Sequence, residues 1–168
     1  MSQYIAEDLK IVNLVGPVSI ASGASAAYVN MENYTHVDFV VATGAVTSPS
    51  STVIAIKRAK NTSGDSIQTQ AITGYYHNKA ALADASIDND TFVRITSLST
   101  SSTAFKLQNQ ASTIYIIPID ATEITDVTGG FNSLGVEISS GGGATIASLT
   151  AILSGNRYSG VQPPTTIG

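Results

Sequence analysis

The fold class is indicated most clearly by residues 36–42, which are His36-Val37-Asp38-Phe39-Val40-Val41-Ala42. Successive side chains of a strand point to opposite faces, so Val37, Phe39 and Val41 would share one face of an extended segment. Residues 52–60 alternate in the same way. Both stretches predict β-strands with one buried face, because apolar–polar alternation is typical of half-buried strands.

Short runs of this kind recur along the chain, bounded by Gly, Ser, Asn or Pro. Ile, Val and Thr supply 50 of the 168 residues, and these β-branched side chains suit a pleated surface. Strands are predicted at residues 9–15, 26–31, 36–42, 52–60, 66–73, 75–78, 91–98, 104–108, 112–119, 134–139 and 144–153. A spacing of about 8–12 residues is typical of an antiparallel sandwich, jelly roll or small barrel. We therefore expect an all-β fold of one of these kinds.

Two stretches depart from the β pattern. Residues 79–85 predict a helix of about two turns, which needs tertiary support to be stable. Residues 120–126 predict a helical turn, because Asp120 and Glu123 have the spacing of a capping box. Pro118 cannot donate a ladder hydrogen bond, so it should mark the end of its strand or a sheet edge.

Composition argues against several classes of function. Charged residues make up 12% of the chain, about half the usual share, and the 8 Lys and Arg residues are scattered. Nucleic-acid binding needs a clustered basic face, so we expect no nucleic-acid partner. No run approaches about 18 apolar residues, so we expect no membrane span and no membrane partner. The absence of cysteine removes disulfides, thiolate metal sites and cysteine nucleophiles.

The length of 168 residues suits one domain, and no shift in composition divides it. We predict an N-terminal arm at residues 1–8, a β core at 9–158 and an extended tail at 159–168. The prolines of the tail exclude a helix there.

The sequence offers no constellation of residues for catalysis. His36 and His77 fall in different predicted strands without a nucleophile motif nearby, which favours surface or edge-strand histidines. The acidic run at 84–90 lacks the turn glycine and the bidentate glutamate of a calcium loop. We therefore predict no catalytic, cofactor-binding or metal-binding residue, and a protein that is not an enzyme.

Lys57, Arg58 and Lys60 form the densest group of positive charge. In a strand Lys57 and Arg58 would point to opposite faces, so the group is not one patch. The favoured interpretation is a lysine-protected sheet edge, and docking to an acidic partner is the weaker one.

The two ends of the chain carry a further pattern. It opens with Tyr4-Ile5-Ala6-Glu7-Asp8-Leu9-Lys10-Ile11-Val12 and a turn at Pro17. It closes with Ile117-Pro118-Ile119-Asp120, Gly130-Phe131-Asn132, Gly135-Val136-Glu137-Ile138-Ser139 and Ala151-Ile152-Leu153-Ser154-Gly155-Asn156-Arg157-Tyr158. In this pattern the chain resembles the head decoration, or cement, proteins of tailed bacteriophages. The resemblance is strongest over 117–158 and does not extend to 44–112.

The resemblance implies a virion structural protein that binds the outer surface of an icosahedral head and stabilises contacts between capsomers, commonly as a trimer. Its partners would be the major capsid protein and further copies of itself. It would be made in the host cytoplasm and end on the outside of the head. Partner contacts are then expected in the arm and the tail, at Tyr4, Ile5, Tyr158, Val161, Pro163 and Pro164. Because the chain carries little charge, attachment should depend on shape and apolar contact and should tolerate salt.

Two other functions stay open. A β domain without a catalytic site would also suit another virion component, such as a tail-tube, head–tail joining or fibre-associated module. A carbohydrate-binding β domain would need exposed aromatic side chains, and a chain with seven Tyr and no Trp offers little for stacking on sugars.

Overall fold

The strands form two antiparallel sheets, A and B, in the computed structural model. The structure describes residues 9–25, 27–44, 52–78, 91–96, 98, 103–107, 113–124, 129–139 and 146–156. With strands numbered in chain order, sheet A contains, from edge to edge, β1 (Lys10–Ser19), β12 (Ile146–Asn156), β4 (Tyr34–Thr43), β10 (Ile114–Asp120), β7 (Tyr75–Asn78) and β8 (Phe92–Ile95). Sheet B contains β2 (Ala24–Ser25), β11 (Ser133–Ile138), β5 (Val53–Ala59) and β6 (Gln68–Thr69), while β3 (Val29–Asn30) pairs with β11 and β9 (Ala104–Lys106) pairs with β5.

The core lies between the two sheets. Val37, Phe39 and Val41 of β4 are fully buried, as their alternation predicts. They belong to one apolar cluster with Ile54 and Ile56, the inward-facing residues of β5 in sheet B. Neither sheet closes on itself within the described residues. The all-β prediction is therefore confirmed as a sandwich, and its barrel alternative is wrong.

Aromatic rings connect the sheets at one end of the core. The Tyr75 ring of β7 stacks on the Phe105 ring of β9, with centroids 3.9 Å apart and planes 12° apart. Tyr115 and His77 lie beside this pair at centroid distances of about 6 Å. His77 is only 5% exposed, and β7 lies between β10 and β8. The prediction of a surface or edge histidine is therefore wrong for His77.

The described edges of sheet A are poor templates for adding a strand. β1 pairs with β12 through two register irregularities, between Asn13 and Val15 and between Val15 and Val18, and it contains Pro17. β8 is only four residues long. Bulges, prolines and short edge strands all oppose edge-to-edge pairing. Neither described edge of sheet A is therefore a good template for strand addition.

The connection after β10 matches the predicted helical turn. Helix α1 (Ala121–Ile124) follows Asp120, whose backbone N–H donates a hydrogen bond to the Glu123 carboxylate, as in a capping box. Pro118 lies in β10 opposite Asp38 of β4, beyond the two residues of β10 that pair with β7. At Pro118, β10 is therefore paired with β4 but not with β7 in the described residues, so a residue without an N–H is tolerated there.

The basic group at residues 57–60 does not guard an edge. β5 lies between β11 on one side and β6 and β9 on the other. Lys57 and Arg58 do point to opposite faces, since Lys57 pairs with Glu137 while the Arg58 guanidinium lies 4.7 Å above the Phe131 ring. The edge interpretation is therefore wrong. The predicted helix at 79–85 lies outside the described residues.

Candidate docking face

The outer face of sheet A is lined by aliphatic side chains. In β4, β10 and β12 these residues alternate with the buried core positions and are half-buried. In β1, Ile11 is 50% exposed. We call this set the sheet A face, and it comprises Ile11, Val40, Ala42, Ile114, Ile116, Pro118 and Ile152.

Strand register arranges the sheet A face in neighbouring rows across four strands, in which Asp38 separates Ile152 from Pro118 and Thr150 lies beside Val40. Ile152 of β12 is opposite Ile11 on one side and Asp38 on the other. Ile116 of β10 is opposite Val40 on one side and Tyr76 on the other. Side chains opposite each other in antiparallel strands lie about 4.5–5.5 Å apart at Cβ, which is contact distance.

The outer face of sheet B has a different character. Lys57 and Glu137 form an ion pair across β5 and β11, with Nζ and Oε2 3.1 Å apart. Lys106 is exposed opposite Val53. Charged groups therefore stand among the small side chains of this face. On the outer face of sheet A, the described part of β4 carries one carboxylate, Asp38, which lies opposite Ile152 and Pro118.

The ring of Tyr28 leaves no room for a side chain at Gly135 of β11. A Cβ added at Gly135 would come within 2.9 Å of the Tyr28 ring, so the aromatic ring takes the place of a side chain there. Burial and the charge of Glu137 both raise the pKa of the Tyr28 hydroxyl. The outer face of sheet B is thus partly covered by its own chain.

A histidine and three carboxyl groups cluster at one corner of the outer face of sheet A. His36 Nδ1 lies 2.9 Å from Asp120 Oδ1, and His36 Nε2 lies 3.2 Å from Asp38 Oδ1. Glu123 of α1 adds a third carboxyl group near Asp120. We call His36, Asp38, Asp120 and Glu123 the charged corner.

The charged corner shifts the protonation of its members. Burial alone would lower the pKa of His36, but hydrogen bonds to Asp120 and Asp38 and the charges of both carboxylates outweigh it, so the pKa is raised. Burial and the charge of Asp120 raise the pKa of Glu123. A neutral imidazole has one N–H donor, whereas the charged form can donate to both carboxylates at once. The geometry therefore favours protonated His36.

This pairing predicts a pH-dependent contribution to stability. Since the folded pKa of His36 is raised above the unfolded value of about 6.5, the stabilisation is fully present below about pH 6.5 and disappears as pH rises through the folded pKa. We expect a contribution of at most about 1 kcal/mol, because the site is partly solvated. Urea unfolding of the wild type and of His36→Gln should show a difference that shrinks from about pH 5.5 to about pH 8.5. A difference that stays constant or grows with pH would contradict the assignment.

The partner contacts predicted from the sequence lie in the N-terminal arm and the C-terminal tail rather than on sheet A. Tyr4, Ile5, Tyr158, Val161, Pro163 and Pro164 all lie outside the described residues. The sheet A face was missed, although its signal is visible in the sequence: residues 114–119 are apolar at nearly every position, so neither face of β10 reads as polar. The charged corner had no such signal, because His36 and Asp120 are 84 residues apart.

Other kinds of site can be assessed for the described residues. A shallow recess between β2 and β11 is lined by Ser22, Gly23, Ser25, Glu137 and Ser139, and Glu137 is already engaged by Lys57. Within the described ranges no group of three or more His, Cys, Asp or Glu side chains could hold a metal ion. No helix in this part of the chain has the length and apolarity to cross a membrane.

Comparison with known proteins gives one structural similarity. No protein-family model matches the chain, and no curated protein matches its sequence. Among solved structures, the chain is similar to the SPBc2 prophage-derived protein YomS, with a TM-score of 0.49 and 10% sequence identity over 88% of this chain and 94% of that one.

Proposed function

We propose that the chain is a non-enzymatic structural protein of a tailed-phage virion, which decorates the outer surface of the head by docking its sheet A face on the major capsid protein. The observation that carries this proposal is the unequal character of the two outer faces. The outer face of sheet A presents Ile, Val, Ala and Pro on four strands, interrupted by Asp38 and Thr150, whereas the described part of sheet B presents charged and small residues. The resemblance of the chain ends to head decoration proteins supports the choice of partner.

The physical basis of attachment is burial of this aliphatic band. Removing apolar surface from water contributes about 25 cal/mol per Å². The band is carried by paired strands over a packed core, so little conformational entropy is lost when it docks. The sheet also presents the side chains in fixed register, which favours complementarity with one particular partner surface.

Oligomerisation would strengthen attachment without new kinds of contact. Three copies joined in a trimer bind a shell with threefold sites as one multivalent unit, so each contact can be weak while the whole stays bound. We therefore propose a trimer as the attached form.

The proposal is tested by adding purified protein to expanded, undecorated heads of the encoding phage. Saturable binding is expected, together with a trimer in light scattering. Affinity should change little between about 0.1 M and about 1 M salt, over which the Debye length falls from about 10 to about 3 Å. No saturable binding, or a polymer typical of tail parts, would reject the head assignment. Collapse of affinity in salt would reject apolar docking.

A further inference from the structure

The charged corner lies at the border of the sheet A face, in register with its apolar residues. Asp38 stands between Ile152 of β12 and Pro118 of β10 in adjacent strands. His36, one row further, is opposite Asp120 and Ser154. A partner that covers Ile152 and Pro118 must therefore cover Asp38 as well and approach the His36 ring.

The groups that face His36 come from each element packed against it. β4 supplies Asp38, β10 supplies Asp120, and α1 supplies Glu123, whereas β12 supplies the uncharged Ser154. No Lys or Arg within the described residues forms an ion pair with these carboxylates. His36 is thus the cation that can compensate them from within the described part of the chain.

We propose that protonation of His36 controls attachment through the sheet A face, with docking tightened when the imidazolium bridges Asp38 and Asp120. This inference rests on the proposed function, since it assumes that the sheet A face is covered by a partner.

The reason is the cost of removing charge from water. Covering ionised carboxylates is expensive unless they are paired and hydrogen-bonded. With His36 neutral, docking desolvates a cluster of uncompensated negative charge. With His36 charged, the carboxylates keep a hydrogen-bonded cation, so the same docking costs less. By linkage, docking then raises the proton affinity of His36 and takes up protons.

The test is a binding titration on undecorated heads at about pH 6 and about pH 8, where an unperturbed histidine changes charge. The wild type should bind about threefold to tenfold more tightly at the lower pH. If docking raises the pKa of His36 by one unit, the protonated protein binds about ten times more tightly than the neutral one. His36→Gln should bind equally at both pH values, near the weaker wild-type affinity. Lys57→Gln, on the outer face of sheet B, should keep the wild-type pH dependence and so controls for titration of the heads themselves.

The outcomes separate this inference from the proposed function. Saturable wild-type binding with equal affinity at both pH values would overturn the role of His36 and leave docking intact. A pH dependence that persists unchanged in His36→Gln would do the same, because the titrating group would lie elsewhere. Absence of saturable binding at both pH values would overturn both proposals. An NMR titration of the His36 ring in the free protein adds a readout that needs no heads: its pKa should lie above about 6.5, and a lower value would contradict the bridging geometry.

Discussion

Ile116→Glu should weaken binding to heads by about 100-fold or more, because docking would have to remove the new carboxylate from water in the middle of the apolar contact. Ile116 is half-buried on the outer face of β10, opposite Val40 and Tyr76. Its side chain is outside the core, so the fold should be retained. Binding isotherms on undecorated heads, with thermal unfolding of the free variant alongside, give both quantities.

Val53→Glu is the matched control for this prediction. Val53 is also half-buried in an interior strand, but on the outer face of sheet B, where Lys106 opposite it can accept the new carboxylate. Binding should stay within about threefold of wild type, the scale of a near-neutral surface change. If Val53→Glu abolished binding and Ile116→Glu did not, the docking face would have been assigned to the wrong sheet.

Phe39→Ala should lower the free energy of unfolding by about 3–5 kcal/mol, the range for removal of a buried aromatic ring. Phe39 is fully buried between the sheets, and Val37 and Val41 lie on the same face of β4 on either side of it. Since whole domains are stable by about 5–15 kcal/mol, this one change could leave the protein close to unfolded. Chemical denaturation of the purified variant measures the loss.

At the adjacent position, Val40→Ala should affect binding to heads more than it affects stability. Val40 points to the opposite side of the same strand, so its truncation should cost about 1 kcal/mol or less in stability while weakening attachment to heads. Comparable destabilisation by the two substitutions would mean that the outer face of sheet A is covered by the chain itself, and the docking proposal would fail.

The sandwich could be predicted largely from local patterns in the sequence. The alternation at residues 36–42 indicates both the strand and its buried face, because the period of two is a geometric property of the strand. Strand order could not be predicted in the same way. β12 joins β1 to β4 although more than a hundred residues separate it from each, and only long-range packing selects such pairs.

The candidate site was harder to predict from the sequence than the fold. An apolar residue at a position such as Ile152 can be part of the core or of a contact surface, and the sequence alone does not distinguish the two. The charged corner depends on the register that sets Asp120 opposite His36, which no spacing along the chain reveals. His77 shows the opposite error: a polar residue type suggested exposure, whereas its ring fills the aromatic end of the core.

The central claim is that the chain attaches through the outer face of sheet A, and electron cryo-microscopy of heads reconstituted with the purified protein tests it most directly. The account predicts density in which β4, β10 and β12 lie against the capsid shell, with Ile116 and Ile152 buried in the contact. Density in which sheet B faces the shell, or in which the sheet A face is open to solvent, would contradict it.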